Sequence, residues 1–534
     1  MRSKANVTVV QMRALALCFL GGIATLLEGQ PPAISQNGVV NAASRIPSSL
    51  TDGAIARGAV FSILGVRLGA ETSNTHLELG SRGRSITIAV RSVQPRQIQA
   101  LLPKSAPLGP ATLSVTTPDG TSKPFAVRVV TAAPGLFSVN RRGWGQGQVQ
   151  ILESTGGRKL NGIESPIRRG GKAVIDATGL AVSHRATVVV GGIPVQAQGM
   201  DHASLGVDRI RFEVPHDAPQ GCFVPVYVRA GSSPPSNVVT MAIQDGGASC
   251  RWSAALPLPE SRIGLISISR LDALYSDSSP LTTLERAVAA FFESGSLNQT
   301  PNPLFLVAPE GTCTAYYGDS RSGMAIATGF GDAFARSTQG RGLSAGRSLS
   351  IAGSGGVRVI PTSPGKPGAY EVRLGLEEAG RPPAPPLFLN DPKFTVSADG
   401  LDIGSFMREI PGPPALEWMN RRELAVIDRS KGATFEWRGA PKDAKVLILA
   451  VSVNSARSAG GFCLCSAKAT SGRFTVPAEM LANLPSSEPV PGPPVNMVFV
   501  ISERVTNDSP VPIRGLDQMW EYSTYATGRR VSYR

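Results

Sequence analysis

The sequence predicts an all-β protein: a pair of tandem β-sandwiches, then a mainly-β C-terminal domain with one short helix. Three observations carry this. Hydrophobic residues make up 42% of the 534 and charged residues 17%, with 58 Gly and 43 Pro. Such a chain has the apolar content to fold and the turn formers to do so as many short strands. Period-two alternation recurs, as in ATLSVTT (111–117) and VPVYVRA (224–230), which sets one row of side chains inward and the other into solvent. The chain also repeats itself at a fixed spacing. Its length exceeds what one core sustains, so about three or four domains are expected.

The first element is a leader. MRSKANVTVVQMRALALCFLGGIATLL sets Arg2, Lys4 and Arg13 ahead of an apolar segment, Ala14 to Leu27, which is the order of a secretory signal peptide. That segment is too short for a bilayer span, which takes about 20 residues. Cleavage-site spacing of small residues occurs as Gly22 with Ala24 and as Ala33 with Ser35. Cys18 lies within the apolar segment behind the bulky Leu17, which argues against a lipoprotein processing site. Residues 1–30 are read as a signal peptide, and the mature chain as extracellular or held in the cell envelope. Later apolar runs, 445–453 and 495–502, are strand-sized, so no stable membrane span is expected in the mature chain.

The repeat comes next. Pro103, Pro107 and Gly109 recur as Pro215, Pro219 and Gly221, each 112 residues on, and Gly58, Ile63 and Leu68 recur as Gly170, Ile175 and Leu180 at that offset. One offset over two separated blocks marks a duplicated unit. Units of about 100 residues with seven or so short strands suit an immunoglobulin-like sandwich, and the two are placed at 38–135 and 145–250. PDG (118–120) and AGSSPPSN (230–237) supply turns to the next strand. Pro107 and Gly109, with their copies, steer the strand that follows: Pro presets φ and Gly can take a positive one. RGWGQGQ (142–148) is read as the linker between sandwiches.

At this point the residues resemble a known family. VFSILGVRLG, PRQIQALLP, PLGPATLSVTTPDG and AAPGLFSV, followed by GGKAVIDATGLA, VVVGGIPVQAQG, RIRFEVP, GCFVPVYVRAG and SNVVTMAI, look like the paired repeat of an uncharacterised family of exported bacterial proteins, whose domains are similar to the IPT/TIG type. The likeness covers residues 38 to 245. It implies a fold and a location outside the cytoplasm, and brings no catalytic residues.

Residues 260–534 form the third region, a mainly-β domain with room for two subdomains. PLTTLERAVAAFFESG (280–295) is its predicted helix: Leu284, Val288 and Phe291 or Phe292 share a face, Thr282 or Thr283 caps the start and Gly295 ends it. GLxxG occurs at Gly342 and at Gly400 and reads as a recurrent strand lead-in. GTCTAYY, YEVRLG, FTVSADGLDIGSF, TFEWRG and GRFTVPAEMLANLP resemble, more loosely, the β-domain that follows the paired repeats in similar proteins.

Beyond Cys18 there are five cysteines, Cys222, Cys250, Cys313, Cys463 and Cys465. In an exported chain they read as disulfides with one thiol left over. Cys222 and Cys250 bracket the last strands of the second unit. Cys313 is left to pair with Cys463 or Cys465, which at i and i+2 of a strand face the same side. The family likeness implies Cys465. Zinc is the alternative reading, but no nearby His completes a set of four, so no metal is expected.

No catalytic motif emerges: there is no GxSxG elbow, HExxH, Walker loop or EF-hand loop. The four histidines, His76, His184, His202 and His216, all precede the C-terminal domain. Asp201, His202, Ser204 and Asp208 cluster in GMDHASLGVD, yet triad members normally come from separate elements. Glu417 and Glu436 lie beside Trp418 and Trp437 in LEWMN and FEWRG. These four are the ligand-face candidates, suited to sugars if the rings are exposed and to a core if they are not. Together with Asp428, the two glutamates define the rival reading, a secreted glycosidase-like hydrolase with its site in 260–505. The net charge of +14 is spread singly or in pairs, without the run that tracks nucleic acid. The expectation is a secreted or cell-envelope binding or structural protein, its partner a surface polymer such as carbohydrate, or a protein, with no cofactor and no nucleic acid.

Overall fold

Two stretches of backbone 112 residues apart close with the same hydrogen bonds. Gly58 N donates to Leu102 O and Gly170 N to Val214 O, each at 2.8 Å; Leu102 N returns to Ala59 O at 3.0 Å and Val214 N to Gly171 O at 2.9 Å. Gly58 and Gly170 sit at φ 71° and 75°, in the left-handed region that costs other residues about 1–2 kcal/mol. Their recurrence in sequence is therefore a backbone requirement. The strands that follow match as well: Val60–Val66 with Lys172–Thr178, Gln97–Leu101 with Val207–Glu213, and Gly109–Thr117 with Gly221–Ala230.

The computed structural model describes residues 30–534 apart from 51–52, 181–185, 247–249, 251–260, 277–279, 295–306, 319–339, 379–380, 383–384, 483, 488–495 and 509–510. The predicted leader, Cys18 included, lies outside the described residues except for Gln30. The protein is all-β, as its sequence predicts. Among the described residues the one α-helix is Ala478–Leu481.

In the first unit Arg84–Gln94 serves both layers of the sandwich. It pairs with His76–Ser81 on one side and Gln97–Leu101 on the other, with a bulge between Val90 and Ser92, and the layers enclose Phe61, Ile63, Leu77, Ile98, Leu113 and Val115. Bulges bend a strand and so let it turn from one layer to the next. In the second unit the corresponding stretch is split. Ile193–Gln196 pairs with Ala186–Val190, and Gly199–Ser204 pairs with Val207–Glu213, giving two separate sheets around Val188, Phe212 and Val226.

The C-terminal region is built on a nine-stranded sheet in which Lys445–Asn454, Ala459–Lys468, Met497–Asp508, Gln518–Arg530, Arg262–Leu274 and Thr282–Ser294 are central. One face carries two smaller sheets side by side. A four-stranded sheet, including Ser348–Gly353 and Lys393–Ala398, packs on Ile268 and Phe291. A three-stranded sheet of Glu417–Trp418, Ala433–Arg438 and Arg473–Val476 packs, with the helix, on Ile448 and Val500. Strands covered on both faces read as near-continuous apolar runs; nine of the ten residues of Lys445–Asn454 are buried.

That rule overturns one expectation. The segment predicted as a helix at 280–295 is a strand, Thr282–Ser294, paired with Arg262–Leu274 on one edge and Ala369–Glu377 on the other. Ala287, Ala289 and Phe291 enter one core, Ala290 and Phe292 another. With both faces buried the period-two signal vanishes, and the remaining apolar spacing imitates a helical stripe.

The 142–148 segment is likewise no free linker. Ser138 bridges Gly147 and Gln146 bridges Thr240, and Gly143 and Gly145 at φ 81° and 76° permit the tight reversal. Trp144, carried at its tip, meets Tyr316 of the C-terminal region edge to face, with centroids 5.7 Å apart. The first unit reaches that region too: Asn37 Nδ2 donates to Arg457 O at 2.6 Å, and Ile46 and Leu50 pack on Ala459.

Candidate functional site

The three-stranded sheet brings together the four residues singled out by sequence, and its alternation sorts them. Glu417 stands opposite Arg438, and Trp418 opposite Trp437. Trp418 is 5% exposed and Trp437 3%. Both indoles are in the core, where Trp418 Nε1 donates to Asn420 Oδ1 at 3.0 Å and Trp437 Nε1 to Ala469 O at 2.9 Å. They have no exposed ring to lay against a sugar, so of the four candidates only the two carboxylates face solvent.

What remains outside is a polar face on the side of the strands opposite the two indoles. Arg438 Nε donates to Glu417 Oε2 at 2.6 Å, and this hydrogen bond, with the carboxylate's charge, holds the guanidinium pKa above its ordinary value. Glu436 is in register with Arg473, and the hydroxyls of Thr434 and Thr475 are 2.8 Å apart. Donors and acceptors thus alternate across the face, on residues whose neighbours are locked in the core.

Asp428 sits apart, in the turn after Val426–Ile427. Ser430 Oγ and N donate to its Oδ1 at 2.6 and 3.0 Å, and Lys431 Nζ lies 3.0 Å from Oδ2. Chiefly the Ser430 hydroxyl, then Lys431, holds its carboxyl down at about 2. A group held so low stays ionised and cannot donate a proton near neutral pH.

A second polar group escaped the sequence reading. Along the large sheet, between its two covers, Tyr525 OH donates to Asp272 Oδ2 at 2.6 Å and Thr283 Oγ1 to Asp272 Oδ1 at 2.7 Å. Beside them Glu285, fully buried, accepts from Arg270 Nε at 2.8 Å, from Phe388 N and from Leu389 N at 3.1 Å. Arg408 and Thr506 saturate Glu521 at 2.7 and 2.9 Å. Glu285 and Glu521 thus tie cover to sheet, while Asp272 joins neighbouring strands of the sheet itself. No sequence signal marked Glu285, because it fell inside the supposed helix.

Two disulfides are present, Cys222–Cys250 and Cys313–Cys465. Cys313 and Cys465 are directly opposed on neighbouring strands. Cys463 is a free, buried thiol whose pKa burial drives upward. The three sulfurs lie within 4.8 Å of one another, but two are spent in the disulfide. His76 and His216 are exposed; His184 and the side chains of Asp201 and His202 lie outside the described residues.

No family model matches the chain, and no curated protein matches it. Solved structures similar to it include a Bacteroides ovatus SGBP-B from a mixed-linkage glucan utilization locus, at 12% identity and TM-score 0.21, covering 60% of this chain and 65% of that one. A second is SGBP-B from a Bacteroides uniformis xyloglucan utilization locus, at 9% identity and TM-score 0.17, covering 64% and 85%. Domains 5–6 of the S-layer protein SbsC match at 12% identity and TM-score 0.18, covering 40% and 99%. The chain spans less than two thirds of the length of the first of these. Likeness of this degree carries no argument about ligand or activity.

Proposed function

We propose that this is an exported, non-catalytic binding or structural β-protein of the cell envelope or secretome, and that it recognises a surface polymer, carbohydrate foremost. The observation that carries the reading is the outer face of the three-stranded sheet, where Glu417, Arg438, Glu436, Arg473, Thr434 and Thr475 present alternating donors and acceptors. Such a face exchanges hydrogen bonds with hydroxyl groups, and its core-locked strands reduce the ordering that binding requires. The carboxylates fit recognition better than hydrolysis: Glu417 is ion-paired, and Asp428 is held ionised in a separate turn. The IPT/TIG likeness of the paired units and the two disulfides fit a place outside the reducing cytoplasm.

The test is a glycan array together with pull-downs on insoluble polysaccharides and peptidoglycan, using the mature protein and its Glu436→Ala/Arg473→Ala variant. Retention of the parent, weakened at least tenfold in the variant, is expected. No retention on any polymer overturns the reading, and release of glycan fragments does so in favour of a secreted hydrolase.

A further inference from the structure

The two duplicated units meet over a cavity of about 220 Å³. Its walls are apolar: Ile46 and Val130 from the first unit, Pro134 from the segment that leaves it, and Pro234 and Pro235 from a turn of the second. One charged side chain lines it, Arg128. Arg128 lies on the outward side of Phe125–Val130, between the buried Val127 and Val129, and is paired across the sheet with Pro110, which has no charge to offer. Among the described residues no carboxylate is bonded to it.

The surroundings deepen the cationic bias. Residues 33–133 contain ten Lys and Arg against four Asp and Glu. Arg45, next in sequence to the cavity-lining Ile46, is half-buried, with an Nε that has no hydrogen-bond partner.

A pocket open to solvent, lined by apolar side chains and one exposed guanidinium, selects for a molecule with one anionic end and a hydrocarbon body. A guanidinium takes a carboxylate in a two-point contact that it cannot make with a neutral alcohol, while proline and aliphatic walls shed water onto any apolar partner. At about 30 Å³ per water-sized group the cavity holds roughly seven, the scale of hexanoate or benzoate. We propose that this junction cavity is a binding site for a small apolar monocarboxylate, with its carboxylate on Arg128 and its hydrocarbon against Pro134, Pro234 and Pro235. Because the walls come from both units, an occupant also joins them.

Ligand-detected NMR on the mature protein with hexanoate, benzoate and the neutral control hexanol tests this. Both acids are expected to bind at least tenfold more tightly than hexanol. Arg128→Gln should bring the acids down to the level of hexanol, and Ala132→Trp, which fills the cavity, should abolish binding of all three, with circular dichroism confirming that both variants are folded. Absence of acid binding overturns the proposal. Acid binding that survives Arg128→Gln overturns it too, by removing the carboxylate from that residue, and binding that survives Ala132→Trp places the ligand elsewhere.

Discussion

Cys463 Sγ lies 3.7 Å from Cys465 Sγ, which is already bonded to Cys313. A third sulfur this close would scramble the pairing if it ionised, and the dry core prevents that: only the thiolate attacks a disulfide, and burial pushes the Cys463 thiol well up. Iodoacetamide at pH 8 should leave the native protein unlabelled at Cys463 and label it after denaturation without reductant. Label at Cys463 in the native protein would show that solvent reaches the thiol and overturn this account.

The two disulfides should differ in worth. Their sequence separations are 28 and 152 residues, and the chain-entropy model gives about 3 to 4 kcal/mol for the first and about 5 for the second. Urea unfolding of the Cys222→Ala/Cys250→Ala and Cys313→Ala/Cys465→Ala variants is expected to show the larger loss in the second. The reverse order would rule out loop closure as the main contribution.

Glu285 is fully buried and accepts from three different residues. Glu285→Ala leaves the amides of Phe388 and Leu389 without their acceptor and the Arg270 guanidinium with only Asn390 Oδ1, so a loss of about 3 kcal/mol is expected. Hydrogen exchange should quicken at those two amides before the rest of the sheet. An effect under about 1 kcal/mol, the range of exposed pairs, would show that solvent reaches the site.

Glu503 is half-buried, opposite Lys445 and Thr524. Burial pushes its carboxyl from 4.5 up to about 7, with Lys445 pulling the other way. The folded state then holds a proton that the unfolded state has released, so this contribution is present below pH 4.5 and is lost as pH rises through about 7. The Tm of Glu503→Gln relative to the parent should rise over that window. Parallel profiles for the two proteins would refute it.

Gly170 offers a backbone test. A Cβ there would enter the left-handed region and lie 2.6 Å from His216 Cε1, whereas at Gly58 the nearest atom is Lys104 Cγ at 3.3 Å, on a flexible side chain. Both alanine variants carry the conformational cost of about 1–2 kcal/mol, and Gly170→Ala should exceed Gly58→Ala. Equal losses in urea would mean that the His216 ring simply moves aside.

What could be read from the residues alone divides along physical lines. Duplication was legible because Gly58 and Gly170 answer to a backbone demand, and such demands survive in sequence. Alternation located the strands with one solvated face, such as Gly109–Thr117, and failed at Thr282–Ser294, where two neighbours and two cores erase it. For Trp418 and Trp437 the sequence favoured a core place over a ligand face, and the structure buries both rings, with Glu417 and Arg438 on the opposite, solvent side of the sheet. Arg128 carried no signal, because Pro234 and Pro235, which share the pocket with it, lie more than a hundred positions away.

Asn37 and Arg457 touch across 420 residues of chain. In a polypeptide synthesised N-terminus first, that contact has no partner until the hairpin around residue 457 exists. The first unit therefore stands without that contact through most of synthesis, closed on itself at Gly58 and Leu102, and its docking is a late event. Long-range closures of this kind slow assembly more than they strengthen the product, which makes the seam between the first unit and the rest a timer as much as a joint.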